Sequence, residues 1–448
     1  MKCFNNIKNF IEITNIYTQL IKDNKITMYN FDEIEQILKN DNIENNQREY
    51  IKYICYTFIK NNYVYDIYND GFLLSNKDIA LRIRDYDKKY VKQIKKQYKK
   101  LRAIISPEQR SDEWFKLRDT CISASDMGRV LGKNKYEGKF SFLRDKVYGK
   151  KFETPFSCYW GKMFERASVL NYEYLNDVHL EDFGLLKHET YDFLGASPDS
   201  IISPYKRDMK TKTELVGRMI EIKCVTGRKL EFKGDVCGTV CPIYYWIQVM
   251  MQLECCDLEE CDFIQYNIKK YKDKNDFIND SDEINYKSKK TNYEKSLLIE
   301  IVPNDKLEYI DDVVSDKCIY DYATHIYPDK IDISNEELFN WVDNKLNELK
   351  DYKYTNVIYY YVEDRNITLI KRNPLWFNDN FEEMKKMWNY VLTLRNNSII
   401  KEQWKNYLDE LLIKYDNDLN NFKTKDKTNK LLDNLLFDKL DDLISSIV

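Results

Sequence analysis

The sequence predicts a mixed α/β fold, with a central mixed sheet flanked by helices and a helical accessory region before it. Three observations carry this expectation. Apolar residues recur at helical spacing in the first hundred positions, as at Tyr50, Ile51, Ile54, Phe58 and Ile59. From Ser106 to about residue 300, apolar strand-like runs alternate with Gly-bearing turns and helical stretches. Hydrophobic residues form 43% of the 448, enough for a core, while 32% are charged and keep the surface wet.

Residues 1–102 read as the accessory region. It ends in a basic stretch, KKYVKQIKKQYKKLR at 88–102, whose Val91, Ile94, Tyr98 and Leu101 form one apolar stripe of a helix. Its lysines form either a solvated face or a phosphate-contacting arm. Residues 103–396 read as the core domain. Within it, 206–213 and 269–294 are polar surface insertions, the second polar enough for disorder. Beyond them 297–301 and 357–362 have strand composition, 381–394 reads as an amphipathic helix, and 397–448 is a charged helical tail.

No apolar run approaches the roughly 20 residues that span a bilayer. The first residues mix Asn, Lys and Glu with apolar side chains and carry no signal-peptide core. The expectation is a soluble intracellular protein without a membrane partner. Net charge is -4, which excludes a DNA-coating polycation but leaves room for a local basic groove beside an acidic metal site. The 11 Cys are odd in number and are read as reduced thiols. Six of them, Cys224, Cys237, Cys241, Cys255, Cys256 and Cys261, crowd one region, but no paired C-x-x-C spacing supports a zinc or iron–sulfur site.

Two short segments carry the chemistry. In FLGASPDSII (193–202) an acid, Asp199, follows Gly and Pro and leads into an apolar strand. In MIEIKCV (219–225), strand alternation puts Glu221 and Lys223 on one face and Ile220, Ile222 and Cys224 on the other. If Asp199 lies on a neighbouring strand, two carboxylates converge on one hard divalent cation. Mg2+ suits such a set, since it takes few carboxylates and keeps water and phosphate oxygens as its other ligands; Mn2+ is the alternative. The lysine then orients a water or stabilises developing charge. Only 3 His are present, so histidine chemistry has little support. Glu-x-Lys alone is weak, because Glu383 and Lys385 match it inside a helical pattern.

The flanking motifs raise its standing. WFKLR (114–118), ISASDMGRVLG (122–132), WGKMFE (160–165), the two acidic segments and YYWIQVMMQ (244–252) occur in that order. In this order and spacing, residues 110–270 resemble the YqaJ-like viral recombinase family, to which phage lambda exonuclease is related. The resemblance implies a PD-(D/E)XK, restriction-endonuclease-like core. It further implies metal ligation by Asp199, Glu221, the Ile222 backbone carbonyl and Glu165, with Lys223 and Gln248 beside the scissile phosphate. Arg118 and Ser125 would hold a 5′ phosphate. The residues agree physically: Ser123 with Asp126 forms a capping-box pattern, and a helix N-terminus beside a guanidinium suits phosphate.

The resulting expectation is a metal-dependent DNA exonuclease, 5′ to 3′ on double-stranded ends, serving recombination or repair. A structure-selective endonuclease on the same fold, and a non-catalytic DNA-binding recombination scaffold, are the other readings. Double-stranded DNA ends, a single-strand annealing recombinase and a homo-oligomer are the implied partners. The family is common in large DNA viruses, which would place the protein in a host cytoplasm. The long N-terminal region and the 269–294 insertion depart from the compact phage enzyme, which leaves its ring-shaped trimer and processivity an open question for this chain.

Overall fold

The computed structural model describes residues 75–76, 88–149, 154–232, 234–282 and 286–446. The helical patterns expected before residue 75 lie outside the described residues.

A short strand β1 (Ser75–Asn76) precedes the basic helix α1 (Lys88–Arg102). There follow α2 (Asp112–Asp119), β2 (Ile122–Ser123), a 3-10 turn at Ala124–Asp126 and α3 (Met127–Val130). Helices α4 (Lys139–Tyr148) and α5 (Phe156–Asn176) lead into β3 (Leu180–Glu181), β4 (Leu186–Lys187), β5 (Leu194–Ala196) and β6 (Ser200–Ile202). Strand β7 (Met219–Val225), α6 (Ile243–Cys256) and β8 (Glu260–Lys270) form a parallel crossover unit. Next come α7 (Lys274–Asn279), β9 (Lys295–Ile301), the hairpin β10 (Tyr309–Ile310) and β11 (Val313–Val314), and α8 (Asp316–Tyr322). The chain continues through β12 (Thr324–Ile326), α9 (Asn335–Glu348) and the long β13 (Thr355–Lys371). It closes with α10 (Pro374–Asn396), α11 (Ser398–Lys414), α12 (Asp416–Asn420) and α13 (Lys425–Ser445).

The main sheet runs β12-β9-β13-β8-β7-β6-β3, with β1 also pairing β13. Only β7 and β8 among its described pairs are parallel, so the sheet is mixed, as expected. Around β7 and β8 its two faces bury separate cores. On one, Ile220, Ile222, Ile264 and Tyr266 pack against Met163, Phe164 and Ala167 of α5. On the other, Met219, Cys261 and Phe263 pack against α6, whose Ile247, Met250 and Met251 are buried.

Three segments show what packing adds to composition. The stripe on α1 is a docking face, with Ile94, Tyr98 and Leu101 buried. Gly217, at φ +76°, lets Ile94 come so close that a Cβ there would meet its Cγ2 at 2.4 Å. The polar 269–294 insertion is fastened by Phe277, which is buried with Tyr271 and Leu338. The charged tail hides a leucine face: Leu432, Leu436 and Leu440 join Trp404 in the same core as α6. Trp404 Nε1 donates to the Leu436 carbonyl at 3.1 Å.

Candidate active site

The site begins with the pleat of β7. Ile220, Ile222 and Cys224 face α5, where the Cys224 thiol meets the Ser168 hydroxyl at 3.3 Å. Burial pushes the Cys224 thiol up to about 12, so it is a packing residue. Glu221 and Lys223, one residue out of phase, face α6. Glu221 is fully buried and forms a close ion pair with Lys223.

Pro198 decides what happens at the edge of this strand. Strands β6 and β7 are antiparallel with Ser200 opposite Ile220. Two residues further along, the same register brings Pro198 opposite Ile222. Proline has no N–H to give, and the Pro198 carbonyl accepts from Gln109 Nε2 at 3.1 Å. The ladder ends there, and the Ile222 N–H donates to Asp199 Oδ2 at 2.7 Å. The Ile222 carbonyl points to the same side, where Pro198 offers no donor. Asp199, just before β6, thus lies across the β6–β7 pair from Glu221, and the Ile222 carbonyl is the next step along β7.

Electrostatics follow from that crowding. Burial and then the Glu221 carboxylate hold the Asp199 carboxyl well above its ordinary range, with Lys223 opposing them. Burial works against a charged Lys223, but Glu221 and then Asp199 outweigh it and keep the ammonium above its ordinary value. Lys223 Nζ also lies 4.8 Å from the Tyr245 ring centroid.

Helix α6 supplies the neutral donors. Gln248 Nε2 donates to Glu221 Oε1 at 2.6 Å, and one turn on, Gln252 Nε2 donates to Glu221 Oε2 at 2.7 Å. Gln252 also reaches the Ser197 carbonyl at 3.3 Å, while its own Oε1 has no partner among the described residues. Gln252 is absent from the set chosen from sequence. Its place four residues after Gln248 was the available signal, since that spacing stacks both amides on one helix face.

Glu165 stands apart from this group. It comes from α5, and its carboxylate is paired with Arg110 at 2.8 Å. It is near enough to add to the rise of Asp199, as a lesser contribution than Glu221. Among the described residues, no three Asp, Glu, His or Cys side chains converge as a ready-made metal site.

Arg118 and Ser125 do meet. Arg118 Nη2 donates to Ser125 Oγ at 2.7 Å and its Nε to Ser123 Oγ at 3.2 Å. The guanidinium lies 5.0 Å from the Trp114 ring, whose Nε1 donates to Ser197 Oγ at 3.1 Å. That bond ties α2 to the turn two residues before Asp199. The capping-box expectation for Ser123 fails: its hydroxyl donates to Asp126 Oδ2 at 2.6 Å and makes no cap bond. The reason is the charge around Asp126. Burial disfavours its ionised form, but Arg129, Arg118 and Lys146 override this and hold it well below the usual carboxylate range. The Ser123 hydroxyl therefore turns inward to the fixed anion, and of the two serines that meet Arg118 only Ser125 is exposed.

The crowded cysteines behave as core residues. Cys241, Cys255, Cys256 and Cys261 are buried, and burial raises each thiol. All cysteines among the described residues are free.

Residues 113–259 match the YqaJ-like viral recombinase domain, as the order of the motifs led us to expect. Over 306 residues, 66% of this chain, the sequence is 33% identical to "Uncharacterized protein R354" of Acanthamoeba polyphaga mimivirus, of which the match spans 55%. A stretch of 64 residues, 14% of the chain, is 42% identical to a protein of African swine fever virus (strain Badajoz 1971 Vero-adapted), spanning 19% of it. The chain thus spans about half the length of the first relative and a fifth of the second. Among solved structures it is similar to an alkaline exonuclease, LHK-Exo, from Laribacter hongkongensis. That match has 17% identity and a TM-score of 0.26, covering 54% of this chain and 91% of the other.

Proposed function

We propose that this chain is a divalent-metal-dependent DNA exonuclease that degrades double-stranded ends 5′ to 3′ and serves recombination or repair. The observation that carries the reading is the end of the β6–β7 ladder, where Asp199, Glu221 and the Ile222 carbonyl stand beside Lys223. Two crowded carboxylates, one of them raised by burial and by the other, form an oxygen donor set that a hard cation relieves. The carbonyl without a ladder donor fits the same cation. Mg2+ would be held by Asp199, Glu221 and Ile222, with Glu165 joining them once released from Arg110. When bound, it supplies Lewis-acid polarisation of the scissile phosphate and a more acidic water.

The chain's own groups have separate tasks. The Lys223 ammonium, exchanged from Glu221, stabilises charge that develops on the phosphate oxygens. Gln248 and Gln252 hold the Glu221 carboxylate in one orientation, Gln248 from a half-buried position next to the substrate. Arg118, with Ser125, offers a guanidinium and a hydroxyl to a terminal 5′ phosphate, while Ser123 steadies the guanidinium from behind. The match of 113–259 to a recombinase domain supports the recombination setting. A single-strand annealing protein that takes the exposed strand, and a homo-oligomer, belong to the same proposal.

The test is digestion of linear duplex in Mg2+, with and without a 5′ phosphate, alongside a covalently closed circle. Linear DNA with a 5′ phosphate should be degraded fastest and the circle left intact. Equal cutting of the circle would rule out the exonuclease. Cleavage that survives Glu221→Ala or Lys223→Ala would show that the active site lies elsewhere.

A further inference from the structure

We propose that an exposed aromatic and basic strip beside the site is a stacking platform for an unpaired DNA strand. The inference rests on the nuclease reading, since that activity is what brings a single strand to this surface.

The strip is continuous from the candidate active site outward. Lys223 Nζ lies 4.8 Å from the Tyr245 ring, and Tyr245 and Tyr244 are 4.4 Å apart between centroids. Tyr244 meets Tyr136 edge-on at 5.9 Å. Lys135 Nζ then sits between two rings, 4.9 Å from Tyr136 and 6.0 Å from Phe422. Three distant parts of the chain contribute: the loop after α3, the first turn of α6, and the loop between α12 and α13.

The placement is built in. Tyr136 N–H donates to Asn134 Oδ1 at 2.8 Å, which fixes the loop. Gly128 has no Cβ, and one there would lie 2.9 Å from Tyr244 Cβ, so α3 seats directly on the start of α6. Yet the outer rings are not packed away: Tyr136 is 40% exposed and Phe422 73%. The two rings that bracket Lys135 are therefore open in part to solvent.

Base faces and phosphates match that pattern. Lys133 and Lys423 are exposed in the same two loops as Tyr136 and Phe422, so with Lys135 three lysines flank the rings on a chain whose net charge is -4. The nearby carboxylate of Glu137 is drawn towards Arg129, at 3.6 Å. Aromatic rings with interleaved lysines bind single strands because every base has a π-face and every linkage a charge. A duplex keeps its base faces stacked on each other, so it would use the lysines and leave the rings idle. The occupant is therefore an unpaired strand.

The test uses metal-free protein and two fluorescein-labelled probes, an oligothymidylate and a blunt duplex, read by anisotropy. Tyr136→Ala with Phe422→Ala should weaken oligothymidylate binding by about tenfold or more, at the level of stacking lost per base. Duplex binding should change by less than about threefold, and Tyr136→Trp with Phe422→Trp should restore the oligothymidylate affinity. An oligothymidylate loss below about threefold, or an equal loss on duplex, would overturn the platform. Both positions are exposed, and equal melting temperatures would exclude misfolding. Because no cleavage is read, the result is separate from the nuclease reading. If Glu221→Ala left cleavage unchanged, that reading would fail while the binding result stood.

Discussion

The Glu221 carboxylate is held inside the protein by a neutral amide from Gln252, and a double-mutant cycle on this pair measures how much its charge matters. Gln252 is fully buried and donates to Glu221 Oε2 at 2.7 Å. A hydrogen bond to a charged group is worth about 1.5–3 kcal/mol, and one between neutral groups about 0.5–1.5 kcal/mol. Gln252→Leu keeps much of the side-chain volume and removes the donor, so it should destabilise the metal-free fold by about 1.5–3 kcal/mol. In a Glu221→Gln background the same change breaks a neutral bond, and the cost should fall by about 1 kcal/mol or more. The unpaired Lys223 left by Glu221→Gln is common to both arms and cancels. The assay is urea unfolding of the four proteins in EDTA. Two substitutions that add within about 0.5 kcal/mol would show that Gln252 does not sense the carboxylate.

Other outcomes follow from the same geometry. Asp199 has a carboxyl raised by burial and by Glu221, so the folded state favours its protonated form. Its contribution to stability is present below about 3.9, the value in an unfolded chain, and is lost as pH rises through the folded value. Thermal melts in EDTA should show Asp199→Asn removing part of that decline while abolishing cleavage; an unchanged pH slope would refute the assignment. Cleavage by the native chain should rise with pH over the same window, as the Asp199 carboxylate becomes available to a cation. Arg118→Ala should slow digestion of 5′-phosphorylated ends by about tenfold or more, as expected for losing a charge-assisted bond, and 5′-hydroxyl ends far less. Equal slowing on both ends would remove the phosphate role. Trp404→Ala should destabilise the fold by about 3–5 kcal/mol in denaturant titration, because the ring is buried between α11, α13 and α4. A loss below about 1 kcal/mol would mean that the last helices do not share the core.

The sequence by itself determined the local features. The alternation in MIEIKCV separates Glu221 and Lys223 from Ile220, Ile222 and Cys224, because side chains on a strand change face at every residue. The same locality made the stripe on the basic helix readable, and the one-turn spacing of Gln248 and Gln252 was legible too. What only the tertiary structure decided was choice of partner. Pro198 ends the β6–β7 ladder at Ile222, so the Ile222 N–H turns to Asp199. Ser123 bonds Asp126 instead of capping, since three cations from other helices and turns keep that carboxylate charged. Glu165 faces Arg110, and Gln252 reaches the oxygen of Glu221 that Gln248 does not. A pattern in sequence fixes which way a side chain points relative to its neighbours along the chain. Which group it meets depends on segments tens or hundreds of residues away, and burial makes those meetings energetically decisive by removing water as the alternative partner.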